Sequence, residues 1–200
     1  GVFRKDRKST SSCPYAFENR RLLREIYDAV PALGNRLLPF AMFDPSRKSR
    51  EQVEVLSELI AQYPLFGLKT ASTYSQSPIT DLLKGKQDLL AFAAEYDLPF
   101  MIHTAVMPAD PWANVFEILK VVEATPKVRF CLAHTCRFDR RALDRAAELP
   151  NCWVDLSAFN IHMQVARRNH LAVARKHDRF KADYRDAAQS KVMLKLAETY

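Results

Sequence analysis

The sequence predicts an α/β fold built on a parallel sheet, and three observations point to it. Five short apolar runs have strand-like composition: Leu37 to Phe43, Leu65 to Lys69, Pro99 to Thr104, Val128 to His134 and Cys152 to Ser157. Amphipathic stretches of helical period lie between them, with no return hairpin. Successive runs begin roughly thirty residues apart, the length of one strand plus a crossover helix, which parallel pairing requires.

The elements follow in order. A helix over Phe17 to Val30 precedes the first strand. Ser46 or Ser49 then caps a helix whose Val53, Leu56, Leu59 and Ile60 share one face and which ends at Tyr63-Pro64. Asp81 to Tyr96, with Leu82, Leu83, Leu90, Phe92 and Ala93 apolar, joins the second and third strands. Behind Asp110-Pro111, the residues Trp112, Val115, Phe116, Leu119 and Val122 repeat at helical spacing as far as Thr125-Pro126. Asp139 is placed to cap a helix carrying Leu143, Ala146 and Ala147, which stops at Leu149-Pro150. From Asn160 onward the chain reads as charged helix, broken near Gln189 or Ser190 before a last segment through Leu194 and Leu196. Five βα units in a row fit either an open doubly wound sheet or part of a (β/α)8 barrel, and periodicity alone does not separate them.

Composition narrows the function. The chain has 200 residues, 48% hydrophobic and 26% charged, enough to bury the core of one domain. Its 4 glycines form neither G-x-G-x-x-G nor G-x-x-x-x-G-K, which argues against a dinucleotide-binding oxidoreductase and a P-loop NTPase. Cys13, Cys131, Cys136 and Cys152 form no C-x-x-C pair and read as reduced core thiols. No apolar stretch approaches the roughly 20 residues that span a bilayer, so the expectation is no membrane partner and a cytoplasmic location.

The formal charge of +7 raises a nucleic-acid reading. The excess sits in Arg4, Lys5, Arg7 and Lys8 and in the tail around Arg167, Arg168, Arg175, Lys176, Arg179 and Lys181, with acidic residues interleaved and no aromatic stacking platform. A solvated helical face, with no nucleic-acid partner, is the expectation.

Two histidines stand out, because His103 and His134 each close an apolar run. In parallel α/β proteins the reactive groups gather where the strands end, so both imidazoles could share one mouth, as in a metal-dependent barrel enzyme. Lys69 at the end of the second run is a substrate-binding cation, or, carboxylated, a metal bridge, or a buried stem with a solvated head. Arg137 is either a bidentate clamp for a substrate carboxylate or a surface partner of Asp139 or Asp144. Asp155 either orients a histidine by a hydrogen bond from behind or satisfies nearby backbone. Cys136 lacks a base beside it and reads as structural. His162, His170 and His177 read as exposed on the tail, with His162 close enough in sequence to reach the mouth.

Leu38-Pro-Phe-Ala-Met-Phe-Asp-Pro45, Phe66-Gly-Leu-Lys69, Pro99-Phe-Met-Ile-His-Thr104, Phe130-Cys-Leu-Ala-His-Thr-Cys-Arg137 and Trp153-Val-Asp-Leu-Ser-Ala158 together resemble strands three to seven of the amidohydrolase-2 family, metal-dependent TIM-barrel hydrolases and non-oxidative decarboxylases. The resemblance implies a (β/α)8 barrel of which this sequence covers about strands 3–7, one domain continuing beyond both ends. It further implies one divalent metal, zinc in first place and manganese as the alternative, bound by His103, with His134 assisting proton transfer; the family often forms homodimers. The family's strand-one His-x-His and strand-eight Asp have no counterpart here. The expected activity is hydrolysis of a small cyclic amide, ester or lactone by a metal-activated water. The alternatives are non-oxidative decarboxylation of an aromatic carboxylic acid and a metal-free relative acting as a binding protein.

Overall fold

The computed structural model describes residues 13–85, 87–184 and 188–200, so the basic residues Arg4, Lys5, Arg7 and Lys8 lie outside the described residues. All five expected strands form, each shorter than its apolar run: β1 (Phe40–Met42), β2 (Gly67–Thr70), β3 (Phe100–Ile102), β4 (Phe130–Leu132) and β5 (Cys152–Val154). They pair in parallel in the order β1-β2-β3-β4-β5. A doubly wound sheet reverses its strand order at a switch point, whereas a barrel wall never does. The monotonic order here is that of a barrel wall.

The register sets two unlike faces, because side chains alternate along each strand. Leu68, Phe100 and Phe130 lie in one row, and Ile102 and Leu132 in the row two residues on; all five are 0% exposed. They share one core with Leu56 of α2 (Ser49–Ile60), Leu90 of α4 (Asp88–Glu95), Ile118 of α5 (Val115–Ala124) and Leu143 of α6 (Arg140–Ala147). Each such burial contributes about 1.5–3 kcal/mol. The opposite row runs Met42, Lys69, Met101, Cys131, Trp153. Its first four members are half-buried and Trp153 is 52% exposed. On this face the Phe40 ring lies across Gly67, where any Cβ would fall 2.2 Å from it, so only glycine admits the ring.

Several helix boundaries differ from expectation for local reasons. The first helix is α1 (Ala16–Arg24), continued by a π turn through Ala29. Neither serine caps α2; its N-cap is Lys48, while Ser46 donates to Asp81 at 2.5 Å and Ser49 to Asp88 at 3.0 Å. A single turn, α3 (Ser72–Ser75), follows β2, and the segment expected as one helix over Asp81 to Tyr96 divides into a 3-10 turn, Ile79–Leu83, and α4. Gly85 at φ +68 lies in that break. Asn114 rather than Asp110 caps α5, accepting from the Phe116 and Glu117 amides, and Trp112 is left in the 3-10 turn Pro111–Ala113. Asp139 caps α6 as expected, with Oδ1 3.2 Å from the Ala142 nitrogen.

The largest correction is in the tail. After α7 (Phe159–Arg167) the chain is not the expected solvated helix; 168–184 holds neither helix nor strand, and Gln189 begins α8 (Gln189–Thr199) instead of ending a helix. Arg179 explains the irregular path. It is buried, and its guanidinium donates to the carbonyls of Ala166 and Ala174 and to Asn169 Oδ1, so the chain wraps around a cation rather than along a helix axis. No described helix is long and apolar enough to cross a membrane.

Candidate active site

The strands deliver their side chains to one end. His103 directly follows β3, and its amide donates to the Thr70 carbonyl at 3.2 Å, one step beyond the ladder. Lys69 lies on β2, and Asp155 directly follows β5.

After β4 the backbone does something that the sequence does not announce. His134, Thr135, Cys136, Arg137 and Phe138 have φ of 67°, 51°, 47°, 54° and 61°, a left-handed turn without a glycine. Each such residue costs about 1–2 kcal/mol, so the turn is held by contacts from outside. Asp155 supplies most of them: Oδ1 accepts the His134 amide at 2.8 Å, and its carbonyl accepts the Thr135 amide at 3.0 Å and hydroxyl at 2.8 Å. The tail supplies two more, Ala174 N to Arg137 O at 2.9 Å and Phe180 N to Phe138 O at 2.8 Å.

This turn brings Arg137 back over the strand ends. Its Nε donates to the Thr104 carbonyl at 2.7 Å, Nη2 faces His103 Nε2 at 3.3 Å, and Nη1 meets His162 Nε2. His103 Nδ1 and His134 Nε2 are 3.1 Å apart, and His134 Nδ1 faces Ser157 Oγ at 2.8 Å. Ser157 Oγ in turn lies 2.5 Å from Asp155 Oδ1.

One proton arrangement satisfies these contacts. A guanidinium only donates, so His103 Nε2 and His162 Nε2 accept from Arg137. His103 then carries its hydrogen on Nδ1 and donates to His134 Nε2, and His134 donates from Nδ1 to Ser157, whose hydroxyl donates to the Asp155 carboxylate. The result is a directed chain, Arg137 to His103 to His134 to Ser157 to Asp155.

The electrostatics agree with three neutral imidazoles. Burial, then the Arg137 charge, pushes His103 down to about 3 and His162 down to about 4, and lowers His134 by the same two causes. Burial also pulls Lys69 down to about 8, against the attraction of Asp155. Arg137 is lowered by burial and partly restored by Asp110. No described carboxylate forms an ion pair with Arg137, so the site presents a half-buried cation without a contacting anion among the described residues.

The structure thus brings His103, His134, Arg137 and Asp155 into one bonded array, with Lys69 close enough for its charge to act on both His103 and His134. Asp155 satisfies nearby backbone, accepting the His134 and Ser157 amides on Oδ1, and it reaches the His134 ring only through the Ser157 hydroxyl. Arg137 pairs with neither Asp139 nor Asp144; Asp139 is turned to the α6 amide and Arg141. Cys136 is buried, its thiol pushed up by burial, so it is no nucleophile. His162 does reach the mouth, 5% exposed, with its Nδ1 lacking a partner among the described residues. His170 and His177 stay exposed on the tail. Sequence reading missed Ser157, and it missed Asp110, a buried carboxylate bonded to Thr73 at 2.6 Å through Oδ2, with Oδ1 unpartnered among the described residues. Ser157 has a recoverable signal, standing two residues beyond Asp155 where a hydroxyl can bond back to the carboxylate.

Two facing imidazoles are donors that zinc accepts, but a catalytic zinc takes three protein ligands. Among the described residues no group of three or more His, Cys, Asp or Glu is placed to hold a metal ion, and both nitrogens of His103 already have protein partners. The described residues therefore do not by themselves fit the metal.

A parallel barrel-wall sheet with imidazole and cationic side chains at the carboxyl ends of its strands is the layout of a barrel enzyme. The model of the amidohydrolase family matches residues 16–184, and the chain belongs to that family, which is typically metal-dependent and contains hydrolases and decarboxylases. No curated protein matches the chain.

Proposed function

We propose that the protein is a hydrolase of a small cyclic amide, ester or lactone that bears a carboxylate. The observation that carries this reading is the half-buried Arg137 guanidinium, fixed by Thr104, His103 and His162 and in contact with no described carboxylate. An arginine desolvated in this way selects an oxyanion, which it can meet with paired N–H donors. Lys69 adds a second positive charge and helps to orient the same group.

His134 is the proton carrier. Its lowered pKa keeps it neutral at pH 7, and once the His103 N–H that Nε2 accepts in the resting array is turned away, that nitrogen takes a proton from the attacking water and returns it to the leaving nitrogen or oxygen. Ser157 and Asp155 behind Nδ1 fix its tautomer and stabilise the imidazolium that forms on Nε2 protonation. His103 holds Arg137 on one side and His134 on the other. The divalent metal typical of the family, zinc or manganese, belongs to this proposal as a cofactor to be assayed; His103 would hold it only by giving up one of its two protein partners, and no step above is routed through it.

The test is a panel of carboxylate-bearing lactones and cyclic amides, scored for ring opening and for carbon dioxide, with metal content measured on the same protein. Ring opening without carbon dioxide supports the proposal; carbon dioxide from an aromatic acid replaces hydrolysis with decarboxylation. Binding of the panel with neither product overturns the enzyme reading.

A further inference from the structure

A groove of about 660 Å³ lies on the tail side of the molecule, away from the strand ends, and five cations line it: Arg167, Lys176, Arg179, Lys181 and Lys195. Asp183 is the one carboxylate among the described lining residues. None of the five cations is in an ion pair with a described carboxylate. Arg179 is 6% exposed, and its hydrogen-bond partners are neutral, three of its bonds being 3.0 Å or shorter to the Ala166 and Ala174 carbonyls. A buried guanidinium without a contacting counter-charge among the described residues leaves a positive potential that the carbonyls only partly offset, and four exposed cations line the same groove, Arg167 bonded to the Tyr184 carbonyl and Lys195 over the Phe180 ring.

The aromatic residues decide what kind of anion fits. Phe180 and Tyr184 form the floor, but both are buried, and their faces are taken by Lys195 and Arg179, at 6.0 Å and 5.4 Å from the ring centroids. No ring is free to stack a nucleobase, which disfavours single-stranded nucleic acid. A compact anion with several charges uses all of the features present.

The groove is also bonded to the active-site turn. The segment that contributes Lys176 and Arg179 gives the Ala174 amide to Arg137 O, takes the Arg140 amide on Asp178 O at 2.9 Å, and gives the Phe180 amide to Phe138 O. An anion that drew Lys176, Lys181 and Lys195 together would tighten the strap that holds the strained turn and, with it, Arg137.

We propose that this groove is an effector site for a small, multiply charged oxyanion of the polyphosphate class, coupled to the catalytic turn through residues 174–180. The site is independent of the substrate reading, because none of its cations contacts His103, His134 or Arg137.

Pyrophosphate is the probe, titrated by calorimetry into the full chain, with orthophosphate and with sodium chloride at matched ionic strength as comparisons. The expected result is saturable binding of one pyrophosphate, weaker binding of orthophosphate and no binding isotherm with chloride. Replacing the exposed Lys176, Lys181 and Lys195 by Gln should weaken pyrophosphate roughly tenfold per lysine, the scale of one charge-assisted hydrogen bond, without changing the far-UV spectrum. Hydrogen exchange at the Ala174 and Phe180 amides should slow when pyrophosphate is bound. Binding that chloride reproduces, or that the triple variant retains in full, overturns the site; binding that leaves those two amides unchanged overturns its role as an effector.

Discussion

The two faces of the sheet are made from the same strands and have opposite characters. On the helix side, Leu68, Phe100, Ile102, Phe130 and Leu132 are sealed into one core. On the other side, the row from Met42 to Trp153 is half-covered at best, and it continues at the strand ends into the array of His103 and Asp155. Alternate residues of one strand are thus assigned alternate tasks: even a three-residue strand such as β4 places Phe130 and Leu132 in the core and Cys131 on the open face. The lesson is that stability and chemistry are separated by a single residue of register.

That separation can be broken first on the covered face. Phe130→Ala should cost about 3–5 kcal/mol, read as a lower urea midpoint, because it opens a cavity where Phe100 packs edge-on at 5.6 Å. An equal loss from Met101→Ala, one residue along the register on the open face, would show that the two faces are not distinct. On the chemical side, His134→Ala should lower kcat about 10²–10⁴-fold while leaving the urea midpoint near that of the parent. A matching fall in stability would make His134 structural. Ser157→Ala leaves His134 Nδ1 with only the Ser157 carbonyl at 3.2 Å and should lower kcat roughly tenfold with KM unchanged; a change confined to KM would place Ser157 at the substrate instead.

Stability also responds to pH. His103 and His162 titrate near 3 and 4 in the folded chain and near about 6.5 unfolded, so the unfolded chain binds more protons in between. Stability from these groups is complete above about pH 6.5 and is lost as pH falls toward 4, by at most about 1.4 kcal/mol per pH unit for each proton. His103→Asn should flatten that slope; an unchanged slope would mean that solvent reaches the imidazole freely.

The sheet was legible because both of its signals are local. Apolar runs give the strands and helical periods give the crossovers, so five strands in order follow directly. His103 and His134 were legible as strand-end residues for the same reason. The turn from His134 to Phe138 was not, since a left-handed backbone is normally announced by glycine or asparagine and here Ala-His-Thr-Cys-Arg-Phe supplies neither. For Arg137 the sequence therefore leaves a clamp at the mouth and a surface pair with Asp139 or Asp144 both open, when the turn swings it to Thr104 and His162. The tail misled in the opposite way: its periodicity is helical, but Arg179 draws the backbone carbonyls inward, a long-range event that no window of sequence contains.

The clasped turn also orders events in time. Its five left-handed residues together oppose about 5–10 kcal/mol, comparable with the whole stability of a small domain, and the groups that restrain them, Asp155, Ala174 and Phe180, all emerge later in synthesis. The turn cannot close when β4 first pairs; it closes only after β5 and the tail have docked. In refolding, activity should therefore return after the helical signal, and under mild denaturant it should disappear first. Competence is the last property this chain acquires and the first it gives up.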